Sequence, residues 1–482
     1  MTLPAAANDD IDLRWDRDVV ARLSDYIAIP AKSPAFDPDW AAHGHLERVV
    51  RDARAWALAQ GIRGLLVEIV ALADRTPCIF FDAPATAAGS DRTVLFYGHL
   101  DKQPEMLGWR AGLGPWKPVI EGGRLYGRGA ADDGYAIYAA LTAIAAMGAA
   151  GVARPRCVGL IETCEESGSY DLPAYLDALA PRMGQVGLLI ALDSGCGDYQ
   201  RLWMTTSLRG VIGGLLTVDI LSEGVHSGNA SGIVPSSFRI MRMLLERIED
   251  SRTGELLEAS FKAPIPPERL EQARAAGAVL GEQVWRQFPL VLCTGNAAGP
   301  GGAPAEPMVR EPAQAILNRT WRPALSVIGA SGLPAPNEAG NVLRPTTALK
   351  LSLRLPPVID AAGAAGRLKE LLETDPPYGA RVHFEGDWAA SGWNAPPTAP
   401  WLDDALRRAC RAAYGHEPAW MGEGGTIPFI SMLGLKFPGV QFVVTGVLGP
   451  QSNAHGPNEF LDIAYAKKLT RVIAQVVSMA QP

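Results

Sequence analysis

Five short segments of this chain set acids or histidines at the ends of apolar runs or beside glycine turns, where they could do chemistry. Phe96-Tyr97-Gly98-His99-Leu100-Asp101 closes an apolar stretch with an imidazole and, two residues on, a carboxylate. An imidazole can ligate a metal through one ring nitrogen while a carboxylate fixes the orientation of the ring. Gly127-Arg128-Gly129-Ala130-Ala131-Asp132-Asp133-Gly134 sets two aspartates at a loop–helix junction. One such carboxylate can bridge two cations, and in the plainer reading the pair caps the helix. Ile161-Glu162-Thr163-Cys164-Glu165-Glu166-Ser167-Gly168 puts adjacent glutamates after another apolar run. Adjacent side chains project differently, so one can bind metal while its neighbour faces the substrate water. Leu192-Asp193-Ser194-Gly195 adds a carboxylate, and Ala454-His455-Gly456-Pro457-Asn458-Glu459 adds a second imidazole. Each segment alone reads equally as a turn, a cap or a solvated acid. Together they supply the nitrogen and oxygen donors that zinc accepts when no thiolate is offered, and they point to a two-metal hydrolytic site.

Such donors need strand ends to hold them. Apolar runs at Leu65-Leu66-Val67, Cys78-Ile79-Phe80-Phe81, Val94-Leu95-Phe96-Tyr97, Val158-Gly159-Leu160-Ile161 and 186–191 read as buried strands, and helical periodicity precedes and separates them, over 13–27 and 45–59 among others. This predicts an α/β fold: a catalytic domain with a mixed sheet covered by helices, whose carboxyl strand ends carry the site. From about Thr206 the pattern changes to long strands at 210–220 and 348–355 with helices at 235–249 and 359–372, which predicts a smaller α+β domain inserted into the first. The expected division is 1–206 and 391–482 for the catalytic domain and 207–390 for the inserted domain. A helix is expected over 268–288, followed by the loop Gly299-Pro300-Gly301-Gly302-Ala303-Pro304, read as mobile or wrapped round a partner. A Pro-rich stretch at 394–400 marks the return, before the strand 440–444 and a final amphipathic helix.

Composition sets the outer bounds. At 482 residues the chain exceeds one ordinary core, and with 48% hydrophobic and 20% charged residues it is globular rather than disordered. A net charge of −7, with no basic cluster, argues against nucleic acid. The uncharged stretch 135–153 is long enough to be mistaken for a membrane span, but its apolar residues are mostly alanine, so it reads as a buried helix. Six scattered cysteines without a CxxC pair exclude a disulfide scaffold and a thiolate zinc ribbon. No basic n-region or apolar h-region is visible near Met1, so a cytoplasmic location and no membrane partner are expected.

His99-Leu100-Asp101, Gly127-Arg128-Gly129 through Asp132-Asp133, Glu165-Glu166, Asp193, His226-Ser227-Gly228, Glu423-Gly424-Gly425-Thr426-Ile427-Pro428 and His455 occur in the order of the motifs of a known family. The chain resembles, from about residue 93 onward, the two-zinc metallopeptidases that include carnosine dipeptidases, glutamate carboxypeptidase and aminoacylase, and looks most like the cytosolic dipeptidase branch. The resemblance implies a phosphorylase/hydrolase-like catalytic domain interrupted by a lid and dimerisation domain at 207–390, and two Zn2+ per subunit, with Mn2+ or Co2+ possible. Asp132 bridges them, His99 and Asp193 complete one position, and Glu166 and His455 the other. Asp101 orients His99. Glu165 is the general base that takes a proton from the metal-bridging water and returns it to the leaving amine. His226 reaches the active site of the partner subunit in a homodimer and stabilises the oxyanion. Asn341, Arg354, Gly424, Gly425 and Thr426 hold the substrate, with Arg354 a candidate for bidentate capture of its free carboxylate. Aspartate at 193, where several deacylases of the family have glutamate, leans towards a peptidase.

One departure stands out. The family usually has lysine and then glycine after the paired aspartates, whereas this chain has Gly134-Tyr135, which bears on substrate preference and on packing at that helix start. Other histidines rank lower: His43 and His45 lie two residues apart at a helix start and share no face, and His383 and His416 lack an acidic constellation. The expected activity is hydrolysis of dipeptides or short peptides. Removal of an N-acyl or N-carbamoyl group from an amino acid is the alternative, and non-catalytic peptide binding on the same scaffold is a third reading, against which the retained Glu165 argues.

Overall fold

The computed structural model describes residues 3–88, 92–293 and 303–480. The chain forms two compact units: Met1–Thr205 with Ala395–Trp420 and Met432–Pro482, and Thr206–Asn394 with Met421–Ser431. The second unit thus takes in Met421–Ser431, a segment that the sequence assigns to the 391–482 stretch. The strands that build the two main sheets are β1 (Leu66–Val70), β2 (Cys78–Ala83), β3 (Arg92–His99), β4 (Arg156–Glu162), β5 (Gln185–Ala191), β6 (Gly210–Asp219), β7 (Ala324–Ser331), β8 (Thr346–Leu355), β9 (Arg381–Ala390) and β10 (Gln441–Val444).

The first unit holds a mixed sheet in the order β1-β2-β4-β3-β5-β10. β4, β3, β5 and β10 run parallel, and β2 is antiparallel to both its neighbours. The parallel strands are nearly continuous apolar runs because both faces are covered, as β3 and β4 show by being buried along almost their whole length. The helix Tyr135–Ala149, buried from Tyr135 through Met147, packs against β3 and the C-terminal helix Ile463–Met479. No helix among the described residues is long and apolar enough to cross a membrane.

The second unit is an antiparallel sheet ordered β7-β8-β6-β9. The helices Ser237–Leu245 and Ala361–Glu373 cover one face, over a core that includes Ile212, Leu216, Ile240, Leu244, Leu351, Leu353 and Leu368. Along β8, Leu351, Leu353 and Leu355 are buried while Ser352 and Arg354 are not, so the two-residue period turns Arg354 to the opposite face. The expected helix over 268–288 is two helices, Pro267–Leu280 and Gln283–Arg286, because Gly281 takes φ +52 between them and ends the first. Of the loop Gly299–Pro304, residues 299–302 lie outside the described residues.

Candidate metal centre

Three neighbouring parallel strands lead to His99, to the glutamate pair and to Asp193. β3 ends at His99, with β4 on one side and β5 on the other. β4 leads into the tight turn Glu165–Ser167, and Asp193 follows β5. Asp132 comes from the buried turn Ala130–Gly134 ahead of the helix Tyr135–Ala149. Gly98 permits that approach: a Cβ there would lie 2.7 Å from Ala136 Cβ and 2.8 Å from Asp133 Oδ2.

The donors meet. His99 Nε2 lies 3.3 Å from Asp132 Oδ1 and 3.8 Å from Asp193 Oδ2. His455 Nε2 lies 2.9 Å from Asp132 Oδ2 and 3.3 Å from Glu166 Oε2. Glu165 offers an oxygen to the cluster that holds His99 and Asp193, with all donor atoms within 4.8 Å of one another. Asp101, fully buried, sits on the other side of the ring: its Oδ1 is 3.4 Å and its backbone oxygen 3.1 Å from His99 Nδ1. The same carboxylate accepts the backbone N–H groups of Glu165 at 3.2 Å and Glu166 at 3.0 Å. It therefore orients the ring and the glutamate turn together. Gln103 Nε2 donates to Glu166 Oε2 at 2.6 Å, a contact that no local pattern announces.

The electrostatics describe a site with surplus negative charge. Burial pushes the Glu165 and Glu166 carboxyls well up, helped by the Asp193 charge beside the first and the Asp132 charge beside the second. Burial likewise pushes Asp193 up to about 7. For Asp132 burial works in the same direction, but hydrogen bonds from His455 and His99 outweigh it and hold this carboxyl below its ordinary value. Burial disfavours the charged forms of both imidazoles, yet Asp101 and Asp132 at His99, and Asp132 at His455, raise them. Divalent cations would relieve this repulsion, and two imidazole nitrogens among carboxylate oxygens, with no thiolate, are donors suited to zinc.

In the second unit, the two-residue strand Val225–His226 pairs with Val342–Leu343, and Ser227 N donates to Asn341 O at 2.9 Å, so His226 and Asn341 are neighbours, both exposed. Arg354 Nη1 donates to Thr426 Oγ1 at 2.9 Å, and that hydroxyl donates to Arg209 O at 2.6 Å. Arg209 Nε donates to Gly424 O at 3.2 Å. Burial lowers both guanidinium pKa values, that of Arg209 to about 10 with Arg354 and Arg319 adding repulsion. Sequence reasoning missed Arg209; the available signal was a cation directly ahead of the apolar run of β6. A Cβ at Gly425 would meet nothing within 4 Å, so its backbone is accessible. The lower-ranked His43 pairs with Asp37 at 2.9 Å, and His383 with Glu373 at 3.2 Å.

Residues 95–479 match the peptidase family M20/M25/M40. The chain is 27% identical over 376 residues to the cysteinylglycine-S-conjugate dipeptidase of Corynebacterium striatum, covering 78% of each. It is 26% identical over 355 residues to the human β-Ala-His dipeptidase, covering 71% of this chain and 67% of that one. Its fold is that of the crystal structure of human carnosine dipeptidase 1, with a TM-score of 0.77 at 22% identity over 99% of both chains. The chain belongs to the peptidase family M20/M25/M40 and is a metallopeptidase.

Proposed function

We propose that the chain is a two-metal dipeptidase that hydrolyses the amide bond of dipeptides or short peptides. The observation that carries this reading is the division of one carboxylate between two imidazoles, with Asp132 Oδ1 facing His99 Nε2 at 3.3 Å and Oδ2 facing His455 Nε2 at 2.9 Å. A carboxylate so placed has one oxygen for each of two cations. The similarity to a cysteinylglycine-conjugate dipeptidase and a β-Ala-His dipeptidase supports dipeptides as the substrate class.

In this reading His99, Asp132 and Asp193 hold one ion and Asp132, Glu166 and His455 the other; zinc suits these donors best, and Mn2+ or Co2+ can use the same ones. When bound, the ions polarise the scissile carbonyl and lower the pKa of water. Asp101 holds the His99 ring so that Nε2 faces the ion. Glu165 takes the proton of the attacking water and delivers it to the leaving amine. Arg354 and Thr426, with the backbone of Gly424 and Gly425 and the side chain of Asn341, receive the carboxylate end of the substrate. His226, contributed by a second copy in a homodimer, stabilises the oxyanion.

The test is to strip the purified protein with chelator, restore zinc, and assay dipeptides beside N-acyl- and N-carbamoyl-amino acids. Zinc-dependent cleavage of dipeptides is the expected result. Cleavage confined to the acylated compounds would establish the amidohydrolase alternative, and no zinc-dependent turnover of any compound would reject both.

A further inference from the structure

The ligand His455 stands on the least regular part of the site. Its own φ is +63, and Gln451, Asn453 and Asn458 are left-handed as well, so no helix or strand fixes the path of this loop. The ring is half-exposed, and its ion-pair partners are Asp132 and Glu166, the groups with which it shares the candidate metal position. Something other than regular structure must set where it lies.

Arg128 and Glu459 meet that need. Arg128 stands four residues before Asp132 and Glu459 four residues after His455, and their side chains are 1% and 0% exposed. Arg128 Nη1 donates to Glu459 Oε2 at 2.5 Å, Nη2 to Gly456 O at 2.8 Å, and Nε to Pro104 O at 3.2 Å. Glu459 Oε1 accepts Gly129 N at 2.9 Å, and its backbone oxygen accepts Gly127 N at 3.0 Å. One planar fork thus joins the segment after Asp101, the segment before Asp132 and the residue next to His455. A guanidinium suits this because its donors lie in fixed directions, whereas an ammonium presents a point charge. The pair is too enclosed to contact substrate. Nor is stability its evident use, since the desolvation of a buried ion pair offsets much of its attraction.

We infer that Arg128 and Glu459 are positioning residues that set His455 against Asp132 and thereby govern occupancy of the second metal position. The inference rests on the two-metal reading above. A site loosened by about 1 Å loses function even when every ligand is present, so the pair acts through geometry.

The experiment is zinc titration of the metal-free full-length protein, with metal content after dialysis read by elemental analysis. The double variant Arg128→Met/Glu459→Leu removes both charges while filling their space but leaves the buried Gly129 N–H without its acceptor, so its melting temperature is expected to fall by several degrees with the protein still folded. It is expected to keep one zinc at wild-type affinity and to bind the second at least tenfold more weakly. Arg128→Lys keeps the charge opposite Glu459 but loses the fork, and is expected to weaken the second ion by a smaller factor. If the double variant does not fold, Arg128→Lys decides: unchanged affinity for the second ion overturns the inference. A folded double variant that retains two ions at wild-type affinity overturns it as well. A wild type that takes up only one ion instead overturns the two-metal reading, and the inference falls with it.

Discussion

Asp101→Asn replaces one carboxylate oxygen with an amide at nearly the same volume, and its effect can be worked from the contacts. Oδ1 and Oδ2 accept the N–H groups of Glu165 and Glu166 at 3.2 and 3.0 Å, and Oδ1 lies 3.4 Å from His99 Nδ1. Whichever way the asparagine is turned, its NH2 faces one of those two N–H groups, leaving a buried donor unpaired at about 1–3 kcal/mol. The lost negative charge acts the other way, because Asp101 contributes to the repulsion that raises Glu165 and Glu166. The two effects oppose in the metal-free protein, so its melting temperature should move by only a few degrees. Metal binding has no such compensation. The His99 ring loses its anionic support, and a change of this kind costs roughly 10–100-fold in metal affinity, or about 1.4–2.7 kcal/mol. Competition of the metal-free variant with a chromophoric chelator measures this directly. Zinc held within twofold of the wild-type affinity would refute the orienting role assigned to Asp101.

Glu165→Gln should lower kcat by about 10²–10⁴-fold while both zinc equivalents remain, measured by steady-state kinetics beside metal analysis; unchanged turnover rejects the base assignment. Arg354→Met should raise KM with kcat nearly constant, since a carboxylate clamp binds ground and transition states alike, and a fall confined to kcat would contradict that role. His226→Ala and Glu165→Gln proteins, each nearly inactive alone, should regain activity when unfolded and refolded together, because a mixed dimer holds one site with its own Glu165 and a His226 from the other copy. Failure to regain activity in mixtures shown by light scattering to be dimeric would rule out the trans arrangement.

The parts of the fold legible in the sequence are those whose signal is local. β3, β4 and β5 are buried on both faces and read as unbroken apolar runs, and their ends announced His99, the glutamate pair and Asp193. β7 and β9 were not legible. β7 is an edge strand, largely exposed and rich in small residues, and β9 is interrupted by a register shift between Gly386 and Trp388. The helix over 268–288 failed at a single glycine, since apolar periodicity continues across Gly281 while the backbone does not. The side-chain partners of the site were beyond reach for a different reason. Arg128 meets Glu459 331 residues away, and Arg209 meets Gly424 215 residues away, and such contacts leave no mark on local spacing.

The departure at Gly134-Tyr135 has a packing explanation that leaves the donor set intact. Residue 134 has no room for a side chain, since a Cβ would lie 2.2 Å from Tyr26 Cε1 and 2.8 Å from Gly129 O. Tyr26 comes that close because its hydroxyl donates to Leu100 O at 3.1 Å, the carbonyl between His99 and Asp101. The Lys102 ammonium lies 3.8 Å from the centre of the Tyr26 ring and donates to Tyr26 O at 2.7 Å and Ile29 O at 2.8 Å, which anchors the end of the helix Val20–Ile27 beside the site. Tyr135, buried next to Gly134, donates its hydroxyl to Leu192 O, the carbonyl immediately before Asp193. One tyrosine therefore fixes the peptide ahead of Asp101 and another the peptide ahead of Asp193. A lysine at 134 would have to displace Tyr26 and release the first of these ties, so glycine at 134, tyrosines at 26 and 135 and the buried lysine at 102 form one steric solution and would have to change together.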